Sequence, residues 1–123
     1  MTEGYQTAAR EGHGIYEEKK SIFYSYISPI ETEEEALEFI ELVRCERDNM
    51  RHVCYAYINR GGNIVRFSDD GEPQGTAGMP VLEAIRKSGA DDVLVVVTRY
   101  FGGILLGSGG LVRAYSACAK LAV

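Results

Sequence analysis

From Ser21 to Ser28 the chain reads SIFYSYIS, a run of aromatic and β-branched residues that predicts a strand. Pro29 closes it, because proline has no N–H to continue a ladder. Ahead of it, Tyr5, Ile15 and Tyr16 stand among polar residues around Gly12-His13-Gly14, which predicts a loose hairpin or strand pair over the first twenty residues. Thr32 then opens a helix. Its hydroxyl can accept the Glu35 N–H while the Glu35 carboxylate reaches back to the Thr32 N–H, a capping box. Glu33, Glu34 and Glu35 suit the positive end of the helix dipole, and Arg44 and Arg47 the negative end. Ala36, Leu37, Ile40 and Val43, with Phe39 beside them, have the spacing of a buried stripe.

His52–Asn59 (HVCYAYIN) predicts a second strand, Arg60–Asn63 a glycine turn, and Ile64–Ser68 its antiparallel partner. The segment 68–80, SDDGEPQGTAGMP, has no period and must be a loop, the kind of segment where function concentrates. Pro80 fits the first turn of a short helix that runs through Ser88 and stops at Gly89. Val93–Val97 (VLVVV) is an unbroken apolar run, which predicts a central strand covered on both faces. Five glycines then fall within the eleven residues YFGGILLGSGG, from Tyr100 to Gly110. Helical spacing resumes from Leu111 to Ala122, with Leu111, Val112, Tyr115 and Ala119 on the buried side. The mixture of a hairpin with helix-flanked strands predicts an α+β two-layer sandwich.

The length of 123 residues fits a single domain over 1–123, and 46% hydrophobic with 25% charged residues is ordinary globular usage. The last helix reaches Val123 with neither a capping glycine nor a polar tail, so the chain is expected to be part of a longer protein. Cys45, Cys54 and Cys118 are odd in number and widely spaced, which predicts reduced thiols. No apolar stretch approaches membrane-spanning length and no secretion signal opens the chain, so a cytoplasmic location and no membrane partner are expected. The net charge of −5 argues against nonspecific nucleic-acid binding. Six acids (Glu31, Glu33, Glu34, Glu35, Glu38, Glu41) crowd one segment, however, while Arg51, Arg60, Arg66, Arg99 and Arg113 lie elsewhere, so a basic face can coexist with an acidic one.

Two motifs, SDDGEPQGTAGMP at 68–80 and RYFGGILLGSGGLVRAY at 99–115, resemble the YigZ/IMPACT family. RHVCYAY at 51–57 and EEKKSIF at 17–23 extend the resemblance over nearly the whole chain. The resemblance implies a fold like the second domain of small-subunit ribosomal protein five, shared with domain IV of elongation factor G and the galactokinase superfamily. It also implies a missing C-terminal ferredoxin-like domain, as bacterial members carry. Eukaryotic members are associated with translational control through an additional domain that this sequence lacks. The family has no securely attached catalytic activity, and Met79 stands where many relatives carry a basic residue.

The glycine-rich segment can be read in two ways. Backbone N–H groups of Gly107, Ser108, Gly109 and Gly110 can cradle an anion at a helix start, or the glycines can simply allow turns and close packing. Gly107 precedes Ser108 where a nucleotide P-loop needs Lys. Arg99 and Arg113 bracket the segment and can converge on a phosphate, or can pair with Asp69, Asp70 or Glu72. Those three acids can hold a divalent cation or cap their own turn, and turn chemistry is the commoner use. His52 and Cys54 share a strand face about 6–7 Å apart, too far for direct proton transfer, with His52 placed to bond the acidic loop. Tyr24, Tyr26, Tyr55, Tyr57 and Tyr100 lie on predicted strands, where most rings pack inward.

The candidate binding face comprises Asp69, Asp70, Gly71, Glu72, Pro73, Gly75 and Thr76 from one loop and Arg99, Tyr100, Gly102, Gly103, Gly107, Ser108, Gly109, Gly110 and Arg113 from the other. His52 supports it, and no catalytic residue, metal or cofactor is assigned. The expected function is a noncatalytic binding or regulatory module linked to translation, whose partner is RNA, the ribosome or a translation-associated protein. The alternative is an enzyme or binding protein for a phosphorylated small molecule, with a metal on the acidic loop.

Overall fold

The computed structural model describes residues 14–47 and 50–123. Strands β1 (Gly14–Glu18) and β2 (Ser21–Pro29) precede helix α1 (Glu33–Glu46). Strands β3 (His52–Asn59) and β4 (Ile64–Ser68) lead through the acidic loop to α2 (Gly78–Ser88). Strand β5 (Val93–Tyr100) and α3 (Gly107–Ala122) complete the described chain. The strands form one antiparallel sheet in the order β1-β2-β5-β3-β4.

The apolar run of β5 explains its central place: an unbroken row of buried side chains needs cover on both faces. On one face, Phe23, Cys54, Ala56, Val95 and Val97 pack against Val81, Leu82 and Ile85 of α2 and Leu111, Tyr115 and Cys118 of α3. On the other, Tyr26, Val53, Tyr57, Leu94 and Val96 meet Ala36, Ile40 and Val43 of α1. The α+β class is thus as expected. The sheet and the α2–α3 pair make the main sandwich, and α1 closes the opposite face over β3 and β5.

Local differences follow from packing. Gly14 is a strand residue, and β1 reverses into β2 at Lys19–Lys20, whose positive φ values of 48° and 70° suit a two-residue hairpin. Tyr5, Gly12 and His13 of the expected hairpin lie outside the described residues. Thr32 caps α1 by accepting the Glu35 N–H at 3.2 Å, but the Glu35 carboxylate accepts from Glu31, one residue earlier than a capping box requires. Leu37 and Val112 are exposed rather than buried. Each sits one helical step of about 100° from its stripe, and each helix meets the sheet along a narrow line.

Two helices begin earlier than expected, α2 at Gly78 and α3 at Gly107. A glycine run disfavours helix, yet burial of Leu106, Leu111, Ala114 and Tyr115 along the same element outweighs that preference. A Cβ on Gly78 would stand 2.8 Å from the Ser68 carbonyl oxygen, and one on Gly102 only 1.9 Å from that of Lys20. Gly102 is therefore a close-approach residue that presses the loop after β5 onto the β1–β2 turn. Among the described residues no helix is long and apolar enough to cross a membrane.

Candidate functional site

The three carboxylates of the acidic loop point in different directions and each meets protein donors. Asp69 accepts the N–H groups of Gly75, Ala77 and Gly78 at 2.8–3.1 Å, so it caps the start of α2 from nine residues away. Asp70 accepts the Val53 N–H at 2.7 Å and lies 3.4 Å from the Arg44 guanidinium, tying the loop to β3 and α1. Glu72 turns inward. These are the partners that charged groups taken out of water require, and they leave no shared oxygen cage for a cation.

Glu72 is the hub of a buried network. The Arg99 Nη1 donates to both of its oxygens, at 3.0 and 2.9 Å, and the Tyr115 hydroxyl donates to Oε2. The side chains of Arg99 and Glu72 are only 7% and 3% exposed, which makes this a desolvated pair. His52 Nε2 stands 3.8 Å from Glu72 Oε1, and its Nδ1 lies 2.9 Å from the Asp70 carbonyl. A carbonyl oxygen only accepts, so Nδ1 carries the proton. Cys54 Sγ donates to the Asp69 carbonyl at 3.2 Å and lies 3.5 Å from the Tyr115 hydroxyl. The network joins β3, β5, α3 and the acidic loop into one rigid block.

The loop after β5 sits on that block. The Arg99 guanidinium lies 5.2 Å from the Phe101 ring centre and 5.9 Å from that of Phe23, so Phe101 covers the buried ion pair from outside. Beyond it, Ile104 and Leu105 project into solvent, Leu105 at 80% exposure. Gly103 and Gly107 adopt left-handed φ values of 94° and 77°, with open space where a Cβ would stand. Arg113 is exposed, its guanidinium beside Gly109 and Gly110.

A family model described as the Impact N-terminal domain matches residues 19–123. The chain belongs to the IMPACT family. It is 46% identical to the IMPACT family member YvyE of Bacillus subtilis over 94% of this chain and 54% of that protein. It is 45% identical to YigZ of Escherichia coli over 82% of this chain and 51% of that one. A crystal structure described as that of a hypothetical protein superposes with a TM-score of 0.84 at 43% identity, covering 88% of this chain and 54% of that chain. The fold is shared with the two-domain translational regulator Yih1, at a TM-score of 0.56 and 23% identity, over 89% of this chain and 44% of that one. The chain spans about half the length of the curated relatives it matches.

In this IMPACT-family domain the two motif loops meet through Glu72 and Arg99, but not as two exposed strips. Glu72 and Arg99 are buried, Asp69 and Asp70 are half-buried with their carboxylates bonded to backbone N–H groups, Thr76 and Gly110 are buried, and Gly102 is packed against Lys20. Gly71, Pro73, Gly75, Tyr100, Gly103, Gly107, Ser108, Gly109 and Arg113 remain at the surface. Arg99 and Arg113 do not converge, since Arg99 is held by Glu72. Gly107, Ser108, Gly109 and Gly110 form the first turn of α3. Phe101, Ile104 and Leu105 join the site although residue chemistry alone passed over them. The available signal was large apolar residues between glycines, in a segment with no period to bury them.

The thiols follow from the same burial. Desolvation pushes Cys54 well above the ordinary thiol range and Cys118 up to about 11, whereas Cys45 is exposed. Alkylation of the folded protein at mildly alkaline pH is expected to add one label, at Cys45, and three only after denaturation, read by intact mass. A second label on the folded chain would contradict the placement of Cys54 and Cys118.

Proposed function

We propose that this domain is a noncatalytic binding module in translational control, engaging RNA, the ribosome or a translation-associated protein through the 100–113 surface. The observation that carries this reading is the exposed apolar loop of Phe101, Ile104 and Leu105 held on a desolvated ion pair. Binding residues on a loop fixed by a rigid scaffold are the usual way a small domain presents a recognition surface. The neighbouring ionisable groups favour architecture over chemistry: Glu72, Arg99, Tyr115 and Cys54 bond one another beneath the surface, with the Arg99 Nε as the one buried donor of the group that has no partner. The direction toward translation comes from IMPACT membership and from the fold shared with Yih1, described as a translational regulator.

Co-sedimentation with ribosomes and anisotropy with single-stranded RNA, each at two salt concentrations, test the reading. Association is expected at low salt and is expected to weaken in Leu105→Ser and Arg113→Ala. Absence of any association at low salt, or association that both variants leave unchanged, overturns it.

A further inference from the structure

We propose that the 100–113 surface docks an acidic, amphipathic protein segment, in which apolar anchors flanked by Asp or Glu seat against Ile104 and Leu105. This deepens the proposed function, on which it rests, by naming the class of partner. The anchors decide between protein and nucleic acid. Single-stranded RNA is held by flat rings and guanidinium planes on which bases stack. Here Leu105, at 80%, is the most exposed of the large apolar side chains, with Ile104 at 42%, while of the two rings in the segment Phe101 is engaged with Arg99 and only Tyr100 is left exposed for stacking. Branched aliphatic side chains do not stack with bases, but they do fill contacts with other apolar side chains.

Charge narrows the class further. Gly102 holds the loop against Lys20, which brings exposed Lys19 and Lys20 to it, and exposed Arg113 lies in the second turn of α3 with its guanidinium beside Gly109 and Gly110. Among the described residues none of these three cations has an ion-pair partner. Among the described residues the acids of the β1–β2 hairpin and the acidic loop offer these cations little. Glu18 accepts the Tyr16 hydroxyl, Glu17 is exposed on β1, and Glu72 is neutralised by Arg99. Three cations on a chain of net charge −5 are a thin footprint for nucleic acid, whose sequence-independent binding rests on neutralising phosphates with Lys and Arg. They suit a few carboxylates beside an apolar anchor, which such a rim steers and orients. Helix α1 shows the same partner chemistry on this chain's own surface, with exposed Leu37 and Leu42 among Glu38 and Glu41, so a second copy is a competing occupant that the test must separate.

A random-peptide display selection on the immobilised chain, counter-selected against Ile104→Ser/Leu105→Ser, tests the inference. The expected consensus has two or three apolar anchors flanked by Asp or Glu. A fluorescent peptide of that consensus should lose about tenfold or more in affinity for the double serine variant, the loss expected of central anchors. It should also bind more weakly to Lys19→Glu/Lys20→Glu, a charge change remote from the core, with circular dichroism checking that both variants fold. No enrichment over the counter-selection, or a Lys/Arg-rich consensus, overturns the inference. So does a polyuridine 20-mer that binds through Ile104 and Leu105 and displaces the peptide, a result that leaves the broader translation reading standing. Concentration-dependent self-association by light scattering, abolished both by Leu37→Ser and by Ile104→Ser/Leu105→Ser, would assign the surface to a second copy instead. Peptide binding without any ribosome or RNA association would remove the translation reading and retain this one.

Discussion

Glu72→Ala is expected to lower the unfolding free energy by about 3–5 kcal/mol, because it leaves the Arg99 guanidinium buried without its counter-charge. The Tyr115 hydroxyl loses its acceptor at the same time, and His52 its neighbouring carboxylate. Arg99→Ala should cost a similar amount from the other side of the pair. The two are not additive. Replacing both residues with leucine removes the desolvation cost together with the attraction, so Glu72→Leu/Arg99→Leu should recover much of the loss seen in either single alanine variant. Urea midpoints with an unchanged slope provide the measurement. If either alanine variant unfolds within a few tenths of a molar of wild type, the ion pair is not the structural hub its geometry indicates.

Asp69→Ala is expected to cost on the order of 2–4 kcal/mol, more than an ordinary cap, since one carboxylate serves three backbone donors. Two of those donors, Ala77 and Gly78, lie on buried residues at the head of α2, where water cannot readily replace the carboxylate. Asp69→Asn keeps one acceptor oxygen but turns an amide toward the remaining donor, so an intermediate loss is expected. Native-state hydrogen exchange should show the Ala77 and Gly78 amides losing protection first, with the α2 terminus fraying ahead of the sheet. Unchanged protection at those two amides in Asp69→Ala would refute the long-range cap.

Most of the fold was legible along the chain. The β-branched run of β5, the capped start of α1 and the glycine turn between β3 and β4 are local signals, each read within a few residues. The helix starts at Gly78 and Gly107 were not. Their local chemistry favours turns, and only the distant partners, Asp69 for α2 and the apolar stripe through Tyr115 for α3, make helix the better choice. The candidate site was half legible. SDDGEPQGTAGMP and RYFGGILLGSGG stood out as functional segments, but whether an acid faces solvent or an arginine cannot be inferred from a turn-forming sequence.

The order of residues alone determined the alternation that gives β2, β3 and β5 their two faces, the amphipathic stripe of α1, and the places where glycine and proline interrupt helix and strand. These are short-range consequences of side-chain period and backbone freedom. Only the tertiary structure decided that Glu72 and Arg99, 27 residues apart, would neutralise each other in the interior while Leu105 was left in water. The physical reason is that charge pairing and burial depend on distances across the fold, which neither spacing nor composition specifies.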